Sequence, residues 1–399
     1  MRVGTDYFRI GAWNVRSLRH KELEVTEEMK KYRLEVLGLS ETHLRGCGER
    51  EIGESVMIYS GVSEGRVKGG VAVIVSGESR QCLREWMCVN DRLLKVRLRV
   101  GRVRVTFIQA YAPTEDSKEE VKDTFYYSLE ELIARVPEGD QLVLMGDLNA
   151  RVGRDANSWR GVIGRQGEET PNGNGRRLLD LCAVNELAIL NTLYQHKEIH
   201  KCTWESKERG LKSIIDYFIV RRALRPGVTD VRVIRGAEVG SDHHLVLMKL
   251  RLKVQRPERH TEAGKCRLKV HRLESREAKV KYQQELRRLQ WQMKDMYRGE
   301  DVEKAWKEFR LAVIGGAERV VGRSRNRQQK KATTWWSEEV RAVIKSKKNL
   351  YKKALNAKTT EAWEEYKKAN KEAKKVVQEA KERDWIRCGG AAAEELCRE

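Results

Sequence analysis

Gln141-Leu142-Val143-Leu144-Met145-Gly146-Asp147-Leu148-Asn149 is an apolar run stopped by glycine and followed at once by a carboxylate and an amide. The run reads as a strand that ends in chemistry. The spacing of two puts Asp147 and Asn149 on the same side of an extended chain, so both can point at one water. Asp147 would orient or deprotonate that water, and Asn149 would hold the attacking oxygen or the phosphate. The plain alternative is an Asx turn that caps the strand.

Outward from this strand, the first 253 residues punctuate into short β-rich runs. They are Arg9 to Trp13, Val36 to Leu39, Val56 to Tyr59, Gly70 to Val75, Ile214 to Val220, Val228 to Ile234 and Leu245 to Leu252. Leu93 to Val100 and Val103 to Ala110 alternate apolar and basic residues around Gly101-Arg102, which is a hairpin with one buried face. Helical spacing covers Leu18 to Tyr32, Lys118 to Ala134 and Arg176 to Glu186. Two layers of mostly antiparallel strands covered by helices satisfy the pattern, an α+β fold.

Four more polar motifs sit at strand ends: Trp13-Asn14, Ser40-Glu41-Thr42, Gln109-Ala110-Tyr111-Ala112-Pro113 and Ser241-Asp242-His243. Each alone is weak. Together they supply the parts for metal-assisted cleavage of a phosphate ester. Glu41 follows an apolar strand, and Asp242 precedes an imidazole. Magnesium takes oxygen ligands and keeps several waters, so these two carboxylates suffice for it. His243 and His244 face opposite ways if the chain is extended, and His243 is preferred because it directly follows Asp242. Asp216 is a charge inside the apolar run Ile214 to Val220 and wants a partner, either His243 or an arginine. Tyr111 and Asn14 complete the set.

The formal net charge of +21 is unevenly spread. Val254 to Glu399 holds 38 Lys+Arg against 23 Asp+Glu, a net of +15; the totals of 80 and 59 leave 42 against 36, or +6, for the first 253 residues. A basic tail points to a polyanion, nucleic acid first, with a merely solvated lysine-rich helix as the alternative. Gln255 to Lys269 reads as a linker. Helices are expected over Glu274 to Tyr297, over Val302 to Val321, from Ser337 as N-cap through Leu355, and over Thr360 to Trp385. The last two can pair as a hairpin with Lys/Arg outward. Trp335 and Trp336 are read as core aromatics rather than base-stacking platforms. Eight cysteines without a C-x-x-C pair give neither a zinc site nor a disulfide framework. No run is long enough to span a bilayer, and a soluble intracellular protein is expected.

GAWNVRSL from Gly11, SETHL from Ser40, GDLNARVG from Gly146, NGNGRRLLDLC from Asn172, TWES from Thr203 with IIDYFIV from Ile214, and SDHHLV from Ser241 together resemble the endonuclease/exonuclease/phosphatase superfamily. The similarity is strongest to the endonuclease of non-LTR (LINE-type) retrotransposons. It covers residues 9 to about 253, and Thr333 to Trp385 resembles the segment that precedes a reverse transcriptase. No polymerase motif follows, which fits a truncated or host-adopted element. The resemblance implies a DNase-I-like four-layer α/β/β/α sandwich over residues 1–253 and a basic helical extension over residues 254–399. It implies a site of Asn14, Glu41, Tyr111, Asp147, Asn149, Asp216, Asp242 and His243. Glu41 and Asp242 would ligate Mg²⁺, with Mn²⁺ as the alternative. Thr203, with Trp204 beside it, would assist at the phosphate. Arg16 departs from the family pattern, which has Asp there in apurinic endonucleases.

The expected activity is a Mg²⁺-dependent DNA endonuclease that nicks to leave 3′-hydroxyl and 5′-phosphate ends. Arg151 and Arg154, with Arg160 and Arg165, are expected at the backbone. RNA is a second partner for the basic C-terminal helices, and RSRNRQQKK from Arg323 is a candidate nuclear signal. The rivals are a catalytically idle host-adopted protein that binds nucleic acid or chromatin, and a phosphatase for a small phosphate ester.

Overall fold

In the computed structural model, which describes residues 7–65, 68–206, 208–251, 267–268, 275–293, 302–324, 335–357 and 359–396, Gln141–Asp147 is an interior strand. Its side chains alternate between two cores. Val143 and Met145 enter the core between two sheets, and Leu142 and Leu144 face a helical layer. Apolar residues on both faces make the strand read as one continuous apolar run.

The strands in chain order are β1 (Tyr7–Asn14), β2 (Val36–Ser40), β3 (Cys47–Ile52), β4 (Ser55–Ser60), β5 (Val71–Val75), β6 (Leu83–Cys88), β7 (Leu93–Val100), β8 (Val103–Tyr111) and β9 (Gln141–Asp147). Then come β10 (Leu187–Ile189), β11 (Trp204–Ser206), β12 (Leu211–Ser213), β13 (Asp216–Arg221), β14 (Val228–Ile234) and β15 (Leu245–Arg251). One sheet runs β14-β15-β1-β2-β5-β4-β3 and the other β10-β13-β9-β8-β7-β6, while β11 and β12 form a separate hairpin. Phe8, Ile10, Val73, Val96, Phe107, Phe218 and Met248 fill the space between the two large sheets.

Helix α1 (Glu22–Lys31) sets Val25 and Met29 on the outer face of the first sheet. Helices α2 (Glu119–Ala134) and α3 (Gly173–Val184) set Phe125, Leu129, Leu178 and Cys182 on the outer face of the second. The result is the expected four-layer α/β/β/α sandwich. Each sheet holds one parallel pair, β1 with β2 and β8 with β9, joined by a helical crossover. Their registers align Asn14 with Ser40 and Tyr111 with Asp147. The carboxyl ends of both pairs therefore carry the polar motifs.

The edge strands β3 and β6 were not expected. Their residues are mostly exposed, so no apolar alternation marks them. Helix α1 starts four residues later than the spacing suggests, because Arg16, Ser17 and His20 take positive φ angles of 46°, 88° and 64°. Most of the expected linker Gln255 to Lys269, and RSRNRQQKK beyond Ser324, lie outside the described residues.

The chain divides into two compact units, one of Met1–Gln255 with Thr333–Glu399, the other Arg256–Ala332. In the second, α4 (Arg276–Met293) and α5 (Val302–Val321) pair, with Arg319 on Glu285 at 2.9 Å. The two-residue strands β16 (Arg267–Leu268) and β17 (Arg323–Ser324) pair there as well. In the first unit, α6 (Glu338–Ala357) and α7 (Thr360–Leu396) form the expected hairpin, and Ser337 Oγ caps α6 by accepting from Val340 N at 3.3 Å. Trp335 and Trp336 pack against its core. Among the described residues no helix is long and apolar enough to cross a membrane.

One lysine breaks the outward pattern. Lys347 is 2% exposed and its ammonium lies between Glu24 of α1 and Glu238, at 3.1 Å from the latter. Tyr366 of α7 donates to the same Glu238, at 2.5 Å, and Lys348 pairs with Glu28 at 2.7 Å. These contacts join the hairpin to the sandwich.

Two stability predictions follow from these contacts. Gly146 has φ +133° and an added Cβ would lie 2.0 Å from Ala110 O, so Gly146→Ala should cost about 2 kcal/mol or more in denaturant unfolding. An unchanged midpoint would contradict this packing. Lys347→Ala leaves two carboxylates buried without their cation and should cost about 3–5 kcal/mol, whereas Lys345→Ala on the exposed face should be nearly silent. Equal costs for the two would refute the buried network.

Candidate active site

The carboxyl ends of β1, β2, β8 and β9 converge on a single hydrogen-bonded chain. Asn14, at the end of β1, is fully buried and spends both amide hydrogens on carboxylates: Nδ2 donates to Glu41 Oε1 at 2.8 Å and to Asp147 Oδ2 at 2.9 Å. Tyr111 OH donates to Glu41 Oε1 at 3.0 Å. The guanidinium of Arg92 lies 5.1 Å from the Tyr111 ring and donates to Tyr111 O at 3.2 Å. Glu41 itself sits at φ +52°, a conformation uncommon for glutamate.

Asp147 Oδ1 accepts from Asn149 N at 3.0 Å, so the Asx turn is present and the carboxylate is still aimed by it. Asn149 has φ +47°, and its Nδ2 donates to Ala112 O at 2.9 Å. Asn172 and Asn174 donate to Asn149 O at 3.3 Å and 3.2 Å. Both belong to the NGNG stretch; they had no assigned role, though the paired asparagines beside glycines were a signal for a braced turn.

Across the site, Asp216 opens β13 opposite Asp147 in register and accepts from His243 Nδ1 at 2.9 Å. The other ring nitrogen, Nε2, faces Asp147 Oδ2 at 3.9 Å. Of the two alternatives for Asp216, the histidine is therefore the partner, and His244 turns instead to Glu205 at 3.7 Å. Trp13 Nε1 donates to His243 O, and Ser241 Oγ links His243 N to Asn14 O.

Burial would by itself depress the His243 imidazole. The adjacent Asp216 carboxylate, through charge and hydrogen bond, with Asp147 and Asp242 behind it, reverses this and holds the pKa at about 9. Burial, then the charge of Asp216, push Asp147 up to about 7. Burial and the nearby Glu41 also raise the Tyr111 phenol, which keeps it a donor.

Asp242 stands at the rim. Its Oδ2 accepts from Trp204 Nε1 at 3.1 Å and from Arg16 at 3.2 Å, while Oδ1 is buried without a partner. An orphaned carboxylate oxygen is a donor that suits a hard cation. Asp147, Asp216 and His243 also offer ligand atoms within 4.8 Å of one another. With Nδ1 committed to Asp216, the trio also forms a proton network, in which the imidazole is held charged by the two carboxylates around it.

Thr203, expected at the phosphate, lies one layer behind. It is fully buried and its Oγ1 accepts from Ile215 N at 3.0 Å and Asp216 N at 3.1 Å, which fixes the start of β13. Arg151 and Arg154 are exposed on the loop after β9, Arg154 in a pair with Glu169 at 3.1 Å.

Residues 105–247 match a family model described as endonuclease-reverse transcriptase. The resemblance read from the motifs holds for that stretch. Craniofacial development protein 2 of Bos taurus is 36% identical over 256 residues, which is 64% of this chain and 43% of that protein. The Tragulus javanicus protein of the same name is 35% identical over 256 residues, 64% of this chain and 44% of its own length. This chain thus spans less than half the length of the curated relatives it matches. Among solved structures, the endonuclease domain of TRAS1, a telomere-specific non-LTR retrotransposon, superposes with a TM-score of 0.45 at 16% identity, over 62% of this chain and 99% of that one. AP endonuclease LMAP from Leishmania major gives 0.48 at 15% identity, over 62% and 88%.

The His243–Asp216 pair is directly testable. Asp216→Asn removes the charge that opposes burial, so the imidazole pKa should fall from about 9 to near or below 6.5 in an NMR titration of the ring protons. The folded pKa of the wild type is raised, so its stabilising share is whole below pH 6.5 and lost as pH rises through 9. The stability gap between wild type and Asp216→Asn should narrow over that window. An unmoved imidazole would rule out this pairing in solution.

Proposed function

We propose that this protein is a divalent-metal-dependent DNA endonuclease that hydrolyses a phosphodiester and leaves 3′-hydroxyl and 5′-phosphate ends. The observation that carries the reading is the continuous chain from Tyr111 through Glu41 and Asn14 to Asp147, which faces the His243–Asp216 pair at 3.9 Å. The match of residues 105–247 to an endonuclease family model supports the same class.

Glu41 and Asp242 would hold Mg²⁺ or Mn²⁺, which when bound supplies charge neutralisation at the phosphoryl oxygens. Asp147, with a pKa of about 7, can take a proton from an attacking water near neutral pH. Asn149 fixes the carboxylate that does so. The His243 imidazolium is placed to bind a phosphoryl oxygen, and Asp216 keeps it charged. Tyr111 and Asn14 hold Glu41 in its uncommon backbone conformation. Trp204 orients Asp242, and Thr203 braces Asp216 from behind. The exposed Arg151 and Arg154 would meet the backbone. A retrotransposon origin and a nuclear location are part of this reading.

One observation favours an idle, DNA-binding rival: the Arg16 guanidinium already accompanies Asp242 at 3.2 Å. Nicking of supercoiled plasmid decides between the two. Wild type with Mg²⁺ should nick and should stop with chelator, while Asp147→Asn and His243→Ala should each lose about 10²–10⁴ in rate. Wild-type protein that binds plasmid and never nicks with Mg²⁺ or Mn²⁺ would end the hydrolase reading, and turnover of a small phosphate monoester in its place would make it a phosphatase.

A further inference from the structure

Helix α7 runs along one edge of the site's mouth. It meets three segments that frame that mouth. Lys367 approaches Glu208, on the loop between β11 and β12, at 3.8 Å; β11 carries Trp204, which bonds Asp242. Asn370 lies against Gly240, two residues before Asp242, with its Oδ1 3.2 Å from where a Gly240 Cβ would stand. Lys381 pairs with Glu22 at 3.5 Å, beside the loop that carries Arg16 and Arg19. The charge of Lys374 reaches Lys21, whose ammonium, depressed by burial first and then by Lys374, binds Val15 O at 2.8 Å.

Lys367, Lys371 and Lys374 are spaced by four and three, so they share one face of the helix. All three are exposed, and among the described residues neither Lys371 nor Lys374 has a carboxylate partner. From Tyr366 to Lys381 there are six lysines and two glutamates. The exposed guanidinium groups of Arg16 and Arg19 lie on the loop from Asn14 to Lys21, at the same edge. Tyr366 of α7 is fastened to Glu238, which also binds Lys347 of α6. The cations thus stand on a helix fastened to Glu238 and Gly240, four and two residues before Asp242.

We infer that the Lys367–Lys371–Lys374 face of α7 binds the phosphate backbone of duplex DNA flanking the bond to be cut. Three lysines over two helical turns span about 10 Å, roughly three base steps of one strand at about 3.4 Å each. Asn370, the amide between the lysines, lies against Gly240, so the face meets the duplex through charge, positions it and reads no sequence. The inference rests on the nucleic-acid reading above but concerns binding, so it has its own test.

The full chain carrying Lys367→Gln, Lys371→Gln and Lys374→Gln is compared with wild type and with a control that loses as much charge elsewhere, Arg84→Gln, Arg99→Gln and Arg102→Gln. Binding to a short blunt duplex is measured against salt. The helix variant should shallow the log–log salt slope by up to about 2.7, from about 0.9 per lost contact, and should raise KM for nicking while kcat holds. The control should keep the wild-type slope. Equal slopes for the two triple variants overturn the proposal, as does a fall in kcat alone. Loss of DNA affinity only in the helix variant, in a protein that never nicks, would sustain the binding face while ending the hydrolase reading. Tighter binding of an RNA duplex that depends on the same lysines would reassign the face to RNA and overturn the assignment to DNA.

Discussion

The site depends on one amide. Asn14 comes from the first sheet and Asp147 from the second, and the bond between them crosses the sandwich at its polar end. The same nitrogen serves Glu41, so two acidic groups that would repel each other are held by one neutral donor. Asn14 Oδ1 in turn accepts from Arg16 N, so the side chain has little freedom left. This bridge and the parallel registers behind it bring the ends of the two sheets together. A carboxamide, unlike a lysine, joins the two carboxylates without cancelling their charge, and that charge is what a cation and an imidazolium both need.

Electrostatics then separates the acidic groups by surroundings. Asp216 has a full partner in His243. Asp147 has only hydrogen bonds and a histidine at 3.9 Å, so burial wins and its pKa rises to about 7. Asp242 is half in solvent and shares Arg16 and Trp204. Three aspartates within one site thereby stand in three different surroundings: one paired with an imidazole, one buried among hydrogen-bond donors, and one at the rim beside a guanidinium. Arg16 bears on the proposed metal, since its guanidinium already supplies positive charge at Asp242.

Much of this was legible in the sequence, for identifiable reasons. β7 was legible because its apolar and basic residues alternate, with Leu94, Val96, Leu98 and Val100 in the inter-sheet core; β8 departs from the expected single buried face, since Phe107 and Tyr111 lie between the sheets while Ile108 and Ala110 lie under the helices. Asp216 was legible because a charge within an apolar strand demands a partner. β3 and β6 were not, because an exposed edge strand needs no apolar face. The role of Thr203 was hidden for another reason: a hydroxyl next to Trp204 looks the same in sequence whether it faces a ligand or caps the backbone of Asp216. Nor did anything local mark Lys347, since its partner Glu24 lies 323 residues away.

Lys347 also explains how so polar a hairpin finds its place. Val340, Ile344, Lys347, Tyr351 and Ala354 recur at spacings of four and three, a seam with a lysine at a core position. The apolar members alone would tolerate a slip of one helical turn. A buried ammonium tolerates none, because only one register brings it between Glu24 and Glu238. Its desolvation makes it a poor source of net stability and a strong source of register. Glu238 lies four residues before Asp242 and binds Gly240 N at 2.5 Å, so the register that seats the helix also shapes the loop that presents Asp242. Hairpin position and site geometry are in this way a single constraint, carried by one carboxylate.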